Sequence, residues 1–95
     1  MSDIITAAVA ALSEKLGSGF DGSAKFDIAG EGSIIIDNNG VRAGDDAADV
    51  TLSADADTFQ GILAGDINPT SAFMGGKLSV DGDMGTAMKL GSLLG

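Results

Sequence analysis

The sequence predicts an α+β fold: a five-stranded, mostly antiparallel sheet with helices covering one face. Three observations carry that reading. Apolar residues recur at helical spacing between Ser2 and Gly17, from Ala56 to about Ala64, and after Asp83. They alternate with polar residues in five short stretches, and Gly, Asn and Asp clusters punctuate each change of period. Helical and alternating segments that do not interleave strictly one for one belong to the segregated α+β arrangement. A chain of 95 residues is expected to form one domain over 1–95, burying ~60–65% of its unfolded surface around a single core.

Ser2 is a candidate N-cap with Asp3 in the first turn, and Ile4, Ile5, Ala8, Val9, Leu12 and Leu16 trace an apolar stripe toward a Gly17 C-cap. The stripe is the packing face of a helix lying on a sheet. A membrane-surface helix would carry several cations on its polar face, and only Lys15 is there. Gly17-Ser18-Gly19-Phe20-Asp21-Gly22 spells G-x-G-x-x-G. It follows a helix and precedes a strand, the reverse of a dinucleotide fingerprint, so it reads as a connector.

Ser23 to Ala29 alternates with Ala24, Phe26 and Ile28 on one side, which is the period of a strand with one buried face. Gly30-Glu31-Gly32 turns the chain into a second strand, Ser33 to Asp37. Asn38-Asn39-Gly40 then signals a hairpin of the I′ type, whose positive φ Asn and Gly tolerate, before a short third strand at Val41 to Ala43. Ile35 falls on the opposite face from Ile34 and Ile36 and is expected to stand exposed as an isolated apolar residue.

Gly44 to Asp49 is an Asp-rich connection to a fourth strand, in which Val50, Leu52 and Ala54 alternate with Thr51 and Ser53. Its carboxylates do not continue into a calcium-loop pattern and read as solvated turns. Asp55 caps a helix from Ala56 to about Ala64 that Gly65 ends, with Phe59, Ile62 and Leu63 on one side. Asn68-Pro69 is an N-cap and N1 pair opening a short helix through Met74, and Gly75-Gly76 stops it. Lys77 to Asp81 is a fifth strand with Leu78 and Val80 inward and Ser79 outward. Asp83 caps a last helix whose apolar residues spread over more than half its circumference, and Gly85 and Gly91 each cost it ~1 kcal/mol relative to Ala.

Composition excludes several functions. A net charge of −9 argues against nucleic-acid binding, which draws its affinity from cations on phosphates. Without His or Cys, the usual general base, the thiolate nucleophile and most zinc sites are missing, and no cofactor is implied. The close carboxylate pairs sit in Gly-rich turns and helix starts, where solvent keeps them ordinary acids, so no enzyme activity is expected. No stretch approaches ~18 continuous apolar residues and no signal-peptide pattern opens the chain, so a soluble cytoplasmic protein is expected.

The ordered set Asn68-Pro69, Ala72-Phe73-Met74, Gly76-Lys77-Leu78, Gly82-Asp83-Met84-Gly85 and Ala87-Met88-Lys89-Leu90 resembles the C-terminal third of sterol carrier protein 2 domains. The likeness extends back through Ala48-Asp49-Val50 and Gly65-Asp66-Ile67. The resemblance implies a five-stranded sheet covered by helices, with a hydrophobic tunnel for sterols, fatty acyl chains or phospholipids, and a carrier or accessory role without catalysis, the expected ligand being a fatty acid, a sterol-like or an isoprenoid lipid. It makes Phe73, Met74, Leu78, Val80, Met84, Met88, Leu90, Leu93 and Leu94 the candidate lipid-lining residues. Apolar residues of this kind would equally close an ordinary core, giving an accessory module that docks on an enzyme or on itself. Flexible, polarizable Met favours the binding surface.

The chain departs from the familiar carriers, which are basic, by its acidity. Residues 27–57 hold eight acidic side chains against Arg42, whereas in 77–95 Lys77 and Lys89 balance Asp81 and Asp83. The expected ligand is an uncharged or singly charged lipid entering beside the last helix. That neutral helix is also the stretch suited to transient contact with a bilayer or an apolar protein.

Overall fold

The computed structural model describes residues 3–16 and 20–94. Its elements run α1 (Asp3–Leu16), β1 (Ala24–Ile28), β2 (Gly32–Asp37), β3 (Gly40–Ala43), β4 (Val50–Ala54), α2 (Ala56–Ala64), α3 (Pro69–Met74), β5 (Leu78–Gly82) and α4 (Met84–Leu94). The expected Ser2 and Gly17 caps, and the first three positions of the G-x-G-x-x-G string, lie outside the described residues. The strands form one sheet in the order β3-β2-β1-β4-β5. Every neighbouring pair is antiparallel except the central β1 and β4, which run parallel with Ala24 opposite Val50 and Ile28 opposite Ala54.

The helices divide the sheet between them. α1 lies over β2 and β3, and α4 over β1, β4 and β5. From α1, Ile5, Ala8, Leu12 and Leu16 are buried at the expected spacing. They meet Phe26 and Ile28 of β1, Ile34 and Ile36 of β2, and Val50 and Leu52 of β4 in one core. Phe59 of α2 completes it, its ring 5.0 Å from that of Phe26 and tilted by 53°. Each such large apolar side chain contributes ~1.5–3 kcal/mol by leaving water. Phe20, in the segment read as a mere connector, is also buried, and its N–H donates to the Asp37 carbonyl at 3.1 Å.

Two expectations about the meander are corrected. Ile35 is not exposed; it is 2% accessible although it belongs to the face away from the helices. β3 must reach β4 by crossing β2 and β1 with only Gly44 to Asp49, and that connection starts over Ile35, where a Cβ added at Gly44 would lie 3.5 Å from Ile35 Cγ1. Register places Lys25 and Arg42 on either side of Ile35. Both hold the crossing segment, Lys25 Nζ donating to Asp45 Oδ1 at 2.8 Å and Arg42 lying 3.9 Å from Asp46. Short-range alternation carries no information about a covering from elsewhere in the chain.

The hairpin turn is the second correction. No described residue other than glycine has positive φ, so Asn38 and Asn39 do not form a I′ turn. The Asp37 carboxylate instead accepts the Asn39 N–H at 2.9 Å, an Asx-type turn, and the positive φ falls on Gly40 at 117°. At the far end of the sheet Gly82 is required sterically. Its φ is 116°, and a Cβ there would lie 2.4 Å from the Asp49 carbonyl oxygen, where β5 leaves the sheet against the end of the crossing segment.

The covering of Ile35 is testable. Ile35→Ala should destabilise the protein by ~2 kcal/mol or more in urea unfolding, the range of a buried Ile truncation. A change of a few tenths would mean that the crossing segment does not shield this face.

Candidate functional site

The α4 side of the sheet is incompletely filled, and the reason is local. Asn68 Oδ1 accepts the N–H groups of Thr70 at 2.8 Å and Ser71 at 3.2 Å, and Pro69 occupies the first turn, which fixes where α3 begins. α3 is only six residues long and buries one of them, Ala72. Phe73 and Met74 at its end stay 42% and 81% exposed. α4 is held down through Ala87 and Leu90, 7% and 0% exposed, while Met84 and Met88 lie one turn apart and remain 45% and 70% exposed.

Between α3, α4 and the β1-β4-β5 end of the sheet lies a cleft of about 570 Å³. Phe26, Leu52, Ile62 and Leu78 form its floor, Val80 and Ala87 its flank, and Phe73, Met74, Met84 and Met88 its lip. It is open-sided where the sequence resemblance implied an enclosed tunnel, because its rim residues face solvent. α4 passes α3 at Gly91, where a Cβ would lie 4.0 Å from Pro69 Cβ, an ordinary contact distance.

Seven of the nine sequence-designated residues line this space: Phe73, Met74, Leu78, Val80, Met84, Met88 and Leu90. Leu93 is 48% exposed and outside the lining, and the side chain of Leu94 is outside the described residues. Sequence reading missed Phe26, Leu52, Ile62 and Ala87, which bear the alternation of ordinary core, and the polar Asn68, Thr70 and Ser92. The run Asn68-Pro69-Thr70 was legible as a helix start, and only the Pro69–Gly91 approach brings it beside Ser92.

The lining contains no charged residue. Lys89, next to Met88 in sequence, is turned to Asp21, its Nζ donating to the Asp21 carbonyl at 3.3 Å and lying 3.6 Å from the carboxylate. With neither acid nor base in its wall, the cleft holds apolar surface and offers three neutral hydrogen-bonding side chains.

The SCP-2 sterol transfer family matches this sequence over residues 6–95. The chain belongs to that family. It is similar to hydroxysteroid dehydrogenase-like protein 2 of Xenopus laevis, 48% identical over 61 residues, covering 62% of this chain and 15% of that protein. The Bos taurus protein of the same name is 38% identical over 95 residues, covering 99% of this chain and 22% of its own length. The chain therefore spans about a fifth or less of these curated relatives. In solution, Aedes aegypti sterol carrier protein 2, in complex with palmitate, has the same fold at a TM-score of 0.78 and 24% identity, covering 99% of this chain and 96% of that one. Among the described residues no helix is long and apolar enough to cross a membrane.

In this SCP-2 domain the cleft wall depends on the anchoring of α4 by Asp83. Its carboxylate accepts the Thr86 hydroxyl at 2.6 Å and the Gly85 N–H at 3.1 Å, and these bonds hold it below its ordinary pKa. Asp55 at the start of α2 is lowered likewise, chiefly by the Thr58 N–H. A carboxyl whose pKa falls on folding adds stability that is present above its unfolded pKa and is lost as pH drops through the folded one.

Asp83→Asn keeps the accepting oxygen and removes the titration. Its urea midpoint should lie below that of the wild type at neutral pH, and the gap should close as pH falls below the usual carboxyl range. A gap that stays constant from pH 7 to pH 2 would show that Asp83 is not linked to folding in this way.

Proposed function

We propose that this chain is a non-catalytic lipid-binding or lipid-transfer domain that takes an uncharged or singly charged lipid, such as a fatty acid, a sterol-like molecule or an isoprenoid, in the α3–α4 cleft. The observation that carries this reading is the uncharged 570 Å³ space walled by Leu, Phe, Val and Met. Its volume lies inside the ~300–1,000 Å³ of small-molecule sites. Family membership supports it, as does the Aedes aegypti relative of the same fold that carries palmitate.

Magnitudes favour useful but modest affinity. Removing ~14 methylenes of a C16 chain from water at ~0.8 kcal/mol each gives about 11 kcal/mol before ordering and association costs, consistent with micromolar binding. Asn68, Thr70 and Ser92 offer neutral donors and acceptors to a polar head at the α3–α4 crossing. The net charge of −9 opposes polyanionic heads, so acyl-CoA should bind more weakly than the matching free acid, with the gap narrowing as salt rises.

A second reading is an accessory module that docks on an enzyme or on itself; the small share of the dehydrogenase-like relatives that this chain spans favours it. Exposed Met74, Met84 and Met88 around an unfilled space weigh toward the lipid.

Recombinant protein analysed by native mass spectrometry should carry or take up one lipid, and lipid at ~100 times Kd should add ~2.7 kcal/mol of stability by mass action. Met88→Asp in the lip should abolish uptake, whereas Ser79→Asp on the exposed side of β5 should not. Stripped protein whose melting is unmoved by fatty acids, sterols and quinones would overturn the carrier reading.

A further inference from the structure

The chain contains no Cys, Trp, Tyr or His, so its four Met are its readily oxidised side chains. Three of them, Met74, Met84 and Met88, line one cleft and are 81%, 45% and 70% exposed. Met elsewhere serves as a flexible filler of buried gaps. Here the largest fully buried side chains are Phe, Ile, Leu and Val, with no Met among them. The oxidisable atoms of the described chain are therefore gathered at the one surface where a change of polarity would alter ligand binding and leave the core untouched.

We propose that Met74, Met84 and Met88 form a hydroperoxide-reactive modification site on the cleft lip, where oxidation lowers affinity for an apolar ligand and bound ligand in turn shields the thioethers. The coupling rests on the lipid reading of the same cleft. In the chemical step a thioether sulfur attacks one peroxide oxygen. The S–O bond forms as the O–O bond breaks, sulfur loses two electrons, and the departing hydroxide takes the proton still on the sulfur-bound oxygen and leaves as water. With an alkyl hydroperoxide as oxidant, the corresponding alcohol leaves instead.

The product, methionine sulfoxide, is polar where the thioether was apolar, and it is restored by methionine sulfoxide reductases. A sulfoxide on this half-exposed lip keeps its water only if it turns away from the cleft, so a ligand lying across it must either desolvate the S=O or lose the contact that the thioether made. α4 itself should stay docked, because the residues that bury it, Ala87 and Leu90, are 7% and 0% exposed and neither is oxidisable. The modification thus acts on the lip and spares the fold. Ligand lying across Met84 and Met88 excludes peroxide from both, so occupancy and oxidation oppose each other.

The test uses the full chain, hydrogen peroxide as oxidant, a fluorescent fatty acid as binding probe, and peptide mass spectrometry to follow each Met. Oxidised protein should bind the probe ~10-fold or more weakly, the factor expected of one unpaired polar group in an apolar wall, with its circular dichroism unchanged. Probe-loaded protein should oxidise more slowly at Met84 and Met88 than stripped protein. The triple variant Met74→Leu/Met84→Leu/Met88→Leu should bind before and after peroxide alike, and Met88→Gln, at a solvent-facing position, should reproduce part of the loss in an unoxidised, folded chain. Unchanged affinity after complete oxidation, or equal oxidation rates with and without probe, would overturn the proposal. Failure of the untreated protein to bind the probe would instead overturn the lipid reading, together with the coupling built on it.

Discussion

The burial of Leu90 is the contact on which both core and cleft depend. It is fully enclosed, and with Ala87 one turn away it fixes α4 against β1, β4 and β5 at a single narrow stripe. A broader stripe of large residues would have drawn the helix down and filled the space beneath it. Ala87 is small, and Gly91 on the next turn presents no side chain toward Pro69. The helix is therefore held near its middle while its Met side chains overhang an unfilled floor. Well-packed interiors rarely leave such volume, since each unfilled void forfeits dispersion contacts. Its presence here marks a place where the chain has given up packing for access.

The two faces of the sheet are managed by different means. Toward the helices the strands are apolar without exception at their inward positions, and the cleft on that side has no charge in its wall. Away from the helices the Gly44 to Asp49 crossing covers the sheet around Ile35, with Asp45 on Lys25 and Asp46 beside Arg42, while Asp27, Ser79 and Asp81 on the same face stay exposed. The Asp45 hydrogen bond raises the Lys25 pKa, while the Asn39 N–H and then Arg42 lower that of Asp37. Exposed pairs of this kind add little to stability. Their effect is positional, holding a short connection over Ile35. Most of the acidity of residues 27–57 is thus carried by turns, caps and this outer covering, away from the cleft.

Much of the fold was legible because its signals are local. Asp55, Asn68 and Asp83 cap the helices they were expected to cap, and the strands of the alternating stretches follow their expected bounds to within a residue. What escaped is non-local or ambiguous by nature. Ile35 was expected in water because the residues covering it lie nine and more positions onward. Asn38-Asn39-Gly40 was read as one turn type when the Asp37 carboxylate selects another. Phe26, Leu52 and Ile62 were read as core, which they are; that they also floor a cleft follows only from where α3 and α4 fail to cover them. Met84 and Met88 were named as lining on the family resemblance, whereas the polar trio needed the α3–α4 crossing.

The parallel pairing at the sheet's centre has a kinetic consequence. Asp49 is tied to Ser23 across 26 positions, and Phe26 has no partner strand on its β4 side until Leu52 has been joined to the chain. Contacts so distant in sequence raise contact order, and their loop-closure entropy must be met before any burial offsets it. The hairpin of β1 and β2 can form early, yet its inner face stays open along the future cleft floor. α4, the closing wall, follows every strand of the sheet in sequence. During synthesis, then, the residues of the apolar floor precede those of its roof.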